Sequence, residues 1–231
     1  MLMVFAVTTS AMQTIWSCWP PRSVLFVTSL QSVAVCESYV ASHGLLYNVK
    51  KTVYMVFKPG PKILPLQPLI LNGKSLRRVY QFKYLGHWVT DDLKDDVDME
   101  RERRALSVRA NMLARRFSRC TDTVKVTLFK AYCTSLYTGN LWVNYTQRAY
   151  SALRVQFSNA FRVLLRLPRF CSASAMFADG FAAIWRKKTA SLISQLRGSR
   201  HSILGAIASR LDCPLMWKLV QRTKSLLTIV Y

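Results

Sequence analysis

Gln81-Phe82-Lys83-Tyr84-Leu85-Gly86 is the stretch that decides how this chain folds. Its two flanks differ in character. Upstream, Gly44-Leu45-Leu46-Tyr47-Asn48-Val49-Lys50-Lys51-Thr52 opens a region of short apolar runs broken by turn residues. Downstream of about residue 91, apolar positions recur every three or four residues and Arg is frequent. The block therefore lies between a strand-rich part and a helical part, and the pattern predicts an α+β chain.

Working outward, Leu30, Val33 or Ala34, Glu37 and Val40-Ala41 predict a helix over about Thr28–Ser42, with Gly44 just past its end. Leu45–Tyr47 and Val53–Phe57 read as short strands around an Asn48–Lys51 turn. Residues 58–68 hold four prolines and a glycine, which exclude regular structure. Asn72-Gly73, between Leu69–Leu71 and Ser75–Val79, predicts a hairpin with a type I′ turn. Phe82–Val89 is a further strand-like run.

The helical part begins with Asp98–Arg119, which puts Leu106, Ala110, Leu113 and Phe117 on one face. Asp95, Asp96, Asp98 and Glu100 lie at its start and Arg115, Arg116 and Arg119 at its end, the order favoured by the helix dipole. Such acids are ordinarily solvated. Thr121 or Asp122 caps a second helix with Val124, Leu128, Ala131 and Ser135 at helical spacing. A third, Thr146–Leu167, buries Tyr150, Leu153, Phe157, Phe161 and Leu164 and stops at Pro168. Two more are expected at about 178–196, ended by Gly198, and at 202–211.

Across its 231 residues the chain carries 33 Lys and Arg against 11 acids, a net charge of +22. Residues 1–90 set nine basic side chains against Glu37, and residues 104–231 set twenty-one against Asp122, Asp179 and Asp212. Only residues 91–103 are acidic. Hydrophobic content of 51% excludes a disordered basic tail. A folded chain with this imbalance calls for a polyanion, of which nucleic acid is the commonest. Cys18, Cys36, Cys120, Cys133, Cys171 and Cys213 form no CxxC pair, so reduced thiols in the nucleus or cytoplasm are expected rather than a zinc site or disulfide framework. Residues 1–21 carry no charge but lack a basic n-region and end in Pro20-Pro21, which argues against a signal peptide or membrane span. No membrane partner is expected, and the sequence leaves the oligomeric state open.

Over about residues 30–215 the chain resembles the reverse transcriptase of non-LTR retrotransposons. The family pattern Gly-Leu-x-x-Asn-x-x-Lys-Thr matches Gly44, Leu45, Asn48, Lys51 and Thr52. The resemblance puts Lys51 near an incoming triphosphate, with Asn48 and Lys50 beside nucleic acid. It makes Phe82, Lys83, Tyr84, Leu85 and Gly86 a primer-gripping hairpin that ends in Tyr-Leu-Gly. Glu100–Leu106, Leu128–Tyr132 and Leu167–Phe170 look like thumb and post-thumb segments, where a primer-template duplex of RNA and DNA would meet Arg104, Arg109, Arg115, Arg116, Arg119, Lys125 and Lys130. The implied divisions are an atypical segment over 1–31, a partial palm over 32–90, a helical thumb over 91–170 and a helical post-thumb region over 171–231.

One part of the family pattern is missing. The intact enzyme holds two Mg²⁺ ions between carboxylates, two of them in a Tyr/Phe-Ala-Asp-Asp turn before the palm helix. This chain has no Asp or Glu before Glu37. No catalytic carboxylate, metal ligand or cofactor is therefore assigned to it. Back-translation offers a reason. Met12-Gln13 forces the out-of-frame codon GCA, and Trp19-Pro20 forces GCC, both Ala. With permitted third bases elsewhere, Ala11 to Gln31 reads Tyr-Ala-Asp-Asp-Met-Val-Leu-Leu-Ala-Pro-Ser-Val-Ser-Ala-Leu-Arg-His-Leu-Leu-Ala. Residues 1–31 then read as out of frame, against the plainer reading of an unrelated extension. Phe177-Ala178-Asp179-Gly180 mimics the catalytic turn with one Asp only. Asp91-Asp92 and Asp95-Asp96 read as the start of a helix rather than a metal site. The expectation is an inactive portion of an RNA-directed DNA polymerase that binds nucleic acid. The alternative is a standalone basic helical protein binding RNA or DNA.

Overall fold

The computed structural model describes residues 3–7, 35, 37–45, 48–57, 68–172 and 180–198. Most of residues 1–31, the proline-rich 58–67, Phe177-Ala178-Asp179 and the helix expected at 202–211 lie outside them. The described residues form an α+β arrangement in two compact units, Met1–Lys94 and Asp95–Tyr231.

The first unit is built around a strand too apolar to face water. β1 (Met3–Val7) pairs antiparallel with β2 (Val53–Phe57), joining Val7 to Val53 and Met3 to Phe57. Every residue of β2 is buried, as an unbroken Val-Tyr-Met-Val-Phe run in a central strand requires. Residues 37–42 are helical and end as expected at Gly44 (φ +66°). The Leu45 N–H bonds the Val40 carbonyl and the Gly44 N–H that of Ala41, at 3.0 Å each, which closes a Schellman motif. β3 (Ile70–Leu71) and β4 (Lys74–Ser75) form the Asn72-Gly73 hairpin, with positive φ at both turn residues as a type I′ turn demands. Its second arm is shorter than the sequence predicts. Leu76, whose N–H still bonds the Leu69 carbonyl at 2.8 Å, joins Tyr54, Val56, Leu69 and Leu71 in the core, and β5 (Arg77–Arg78) pairs in parallel with β2. Leu45, expected in a strand, is exposed and irregular.

The run expected as one strand at Phe82–Val89 is a hairpin of β6 (Gln81–Tyr84) and β7 (His87–Thr90). Leu85 (φ +45°) and Gly86 (φ +85°) make its turn. Tyr84-Leu85-Gly86 therefore rounds the tip, whereas the resemblance puts it at the hairpin's end.

The second unit is four described helices: α1 (Asp96–Arg116), α2 (Asp122–Cys133), α3 (Gln147–Leu165) and α4 (Phe181–Gly198). Thr146 caps α3 by accepting from the Ala149 N–H. α1 buries Leu106, Ala110 and Leu113, and α3 buries all five residues expected of it. α2 differs from expectation. Val124 and Ala131 are exposed, while Lys125, Phe129 and Cys133 face inward. Phe129 decides the rotation, with its ring edge-on to Phe157 and Phe161 at 5.1 Å each. Burying that ring is worth about 2–3 kcal/mol. The Lys125 stem follows at little cost, because its ammonium reaches Asp122 at 3.1 Å. At the other end Trp185 and Phe181 of α4 close the core against Trp142, Tyr145, Tyr150 and Phe157. No helix among the described residues is long and apolar enough to cross a membrane.

Candidate nucleic-acid interface

In the first unit Asn48, Lys50 and Lys51 occupy one exposed turn. Asn48 holds that turn shut. Its Oδ1 accepts from the Lys51 N–H at 3.2 Å, and its carbonyl accepts from both the N–H and Oγ1–H of Thr52 at 2.9 Å. Thr52 is buried, so the lysines are carried on a locked entry into β2. On the hairpin, Phe82 and Tyr84 are half-buried on one face with cross-strand partners Val89 and His87. Lys83 is exposed on the other, opposite Trp88, and Leu85 is exposed at the tip.

In the second unit two of the acids near the start of α1 are not solvated. Asp98 and Glu102 have no exposed surface. Asp98 takes both Nε and Nη2 of Arg101 (2.7 and 3.2 Å), the Thr138 hydroxyl (2.7 Å) and the Trp142 indole N–H (2.7 Å). Asp95 accepts the backbone N–H groups of Val143 and Asn144, and Asp96 that of Thr146. Three aspartates thus bind the 138–146 loop to α1. These carboxylates find partners distant in sequence, which no helical period encodes.

Glu102 sorts the predicted cations. It ion-pairs with Arg101 at 3.0 Å and with Arg109, whose side chain is only 24% exposed. Arg109, expected at a nucleic-acid surface, is instead a partner of a buried carboxylate. Lys125, with 9% of its side chain exposed, likewise belongs to the interior. Burial draws the Lys188 ammonium pKa down, with Glu102 opposing, and pushes the Cys133 thiol up to about 11. Arg104 is 75% exposed but bonds Glu100 at 2.9 Å. Hydrogen bonds from Arg103 and Arg104 outweigh partial burial and hold Glu100 at about 2. Arg115, Arg116, Arg119 and Lys130 are exposed.

The arrangement buries Asp98 and Glu102 with Arg101 and Arg109 against them and leaves Arg115, Arg116 and Arg119 outside. Arg148, Arg154, Arg166 and Arg169 are exposed as well, although no motif in the sequence singles them out. One signal does point to them: residues 123–178 contain seven Lys and Arg and no acid. Among the described residues the carboxylates present do not fit a pair of catalytic metal ions. Asp92 is engaged by Thr90 and Lys94, Asp95 and Asp96 by backbone amides, and no cluster of three or more His, Cys, Asp or Glu among the described residues could hold an ion. Cys120, Cys133 and Cys171 form no disulfide.

No family model, curated protein or solved structure matches the chain.

Proposed function

We propose that this chain corresponds to the palm end and thumb of a non-LTR retrotransposon reverse transcriptase, and that it binds nucleic-acid duplex without polymerising. The observation that carries the reading is the outward placement of Arg115, Arg116, Arg119 and Lys130 on a helical unit in which Asp98 and Glu102 are buried. Such a surface binds phosphate with little sequence preference. The order of elements agrees with it: an Asn48–Thr52 turn feeding a buried strand, a Lys83-Tyr84-Leu85-Gly86 hairpin, then Arg-rich helices.

Primer extension and duplex binding by the purified chain test both halves. Binding that weakens steeply with salt and no extension with Mg²⁺ is the expected result. Metal-dependent DNA synthesis overturns the inactivity, and absence of duplex binding overturns the interface. The coding DNA separates this reading from a standalone nucleic-acid-binding protein, because only the former predicts palm- and fingers-coding sequence upstream. It also decides whether the bases under residues 13–15 can spell GAC GAT.

A further inference from the structure

Arg162 closes the loop that follows α3. Its Nε donates to the Cys171 carbonyl at 2.8 Å, and its Nη1 to Asn159 Oδ1 at 2.9 Å. The Leu167 N–H returns to the Arg162 carbonyl at 2.9 Å, and the Cys171 N–H to that of Pro168 at 3.1 Å. The loop so fixed presents Phe170 at 89% exposure, more than any other large hydrophobic side chain among the described residues. Arg166 and Arg169 are exposed beside it in sequence, and neither meets a carboxylate among the described residues. The surrounding sequence has no acid between Asp122 and Asp179.

A bare ring on a braced loop, flanked by guanidinium groups in an acid-free stretch, is matched to a partner that is flat, apolar on its face and anionic at its edge. We propose that the Arg166–Phe170 loop is a stacking site for an unpaired base of RNA or DNA, with Phe170 against the base and Arg166 and Arg169 on the adjoining phosphates. Every base has a π-face, so the site takes single strands without regard to sequence. The proposal rests on the nucleic-acid reading above and adds to it a place for the unpaired strand, apart from the helix arginines that suit a duplex.

Full-length chain is titrated with a fluorescein-labelled blunt duplex and with the same duplex bearing a six-nucleotide unpaired tail. Wild type is expected to prefer the tailed duplex. Phe170→Ala should remove about tenfold of the tailed affinity and leave the blunt duplex unchanged. Phe170→Trp should keep the preference, and the circular dichroism of both variants should match wild type because the ring is in solvent. Equal binding of tailed and blunt duplex by wild type overturns the stacking site alone. So does a Phe170→Ala loss shared equally by both duplexes. Binding to neither duplex overturns the stacking site together with the nucleic-acid reading.

Discussion

Trp142 and Asp98, 44 positions apart in sequence, meet where the indole N–H donates to a buried carboxylate oxygen at 2.7 Å. The same carboxylate holds Arg101 and Thr138. A buried charge with this many donors is costly to disturb from one side, since removing the acid leaves the indole without its acceptor and Arg101 with Glu102 as its remaining carboxylate. Asp98→Ala is expected to lower unfolding free energy by about 3–5 kcal/mol, measured in urea. Trp142→Phe and Thr138→Val each remove one donor of several and should cost about 1 kcal/mol in hydrogen bonding, with the Trp142 change also weakening the packing. If Asp98→Ala costs no more than Thr138→Val, the carboxylate is not the centre of the loop's attachment.

Acid should loosen the start of α1 through Glu100. Its folded pKa of about 2 lies below the ordinary 4.5 because Arg103 and Arg104 bond the carboxylate. A depressed carboxyl stabilises the fold above its unfolded pKa and loses that contribution as pH falls from about 4.5 towards 2. The side chain is 38% exposed, so solvent screening limits the effect to about 1 kcal/mol or less. Glu100→Gln should therefore flatten the stability profile over that pH window and lower stability slightly at pH 7. An unchanged profile would show that the bidentate pair with Arg103 is not populated in solution.

These two acids also mark how far the sequence could be read. Helical spacing was legible wherever one face is apolar along its whole length, as in Leu153, Phe157, Phe161 and Leu164 of α3. Asn72-Gly73 announced its turn because few other residue pairs tolerate two positive φ values. Legibility ended where a polar residue was buried. Asp98, Glu102, Arg109 and Lys125 look like surface in any periodic reading, and only pairing through space takes them inside. The division of Gln81–Thr90 into two arms was hidden because Leu85 sits at a φ that glycine, Asn or Asp ordinarily fills. The exposed arginines were legible by composition and the sorting of them was not.

Arg166 ends α3 in the left-handed region (φ +56°), a place where glycine is usual. A side chain there costs about 1 kcal/mol against glycine. Arg166→Gly should raise the melting temperature, while Arg166→Val should lower it, because a β-branched residue tolerates positive φ worst. Thermal unfolding of the two variants checks this, and a stabilising Arg166→Val would contradict the αL ending.

Gly139 is packed where a side chain does not fit. A Cβ there would lie 2.8 Å from the Leu136 carbonyl oxygen and 3.2 Å from the Leu136 Cβ. The obstacle is backbone, already held between Leu136 (φ +37°) and Thr138 (φ +64°), so it cannot swing aside as a long side chain could. Gly139→Ala should cost about 1–3 kcal/mol in urea unfolding and increase amide exchange over residues 136–142. A neutral substitution would mean that the loop is looser than its three aspartate anchors imply.

The exposed arginines of α1's end and the following turn give the sharpest comparison with the buried cations. For every duplex phosphate left without its cationic partner, the slope of log affinity against log salt falls by about 0.9. Replacing Arg115, Arg116 and Arg119 together with Gln should flatten the slope by up to about 2.7 if all three touch phosphate, with little change in stability because none meets a carboxylate among the described residues. Lys125→Met should leave the slope unchanged, since its ammonium is turned to Asp122. Arg109→Met should instead destabilise the fold, because Glu102 stays buried with one cation fewer. Opposite results, with Lys125 changing the slope and the three arginines leaving it alone, would place the nucleic-acid surface on another face of the helical unit.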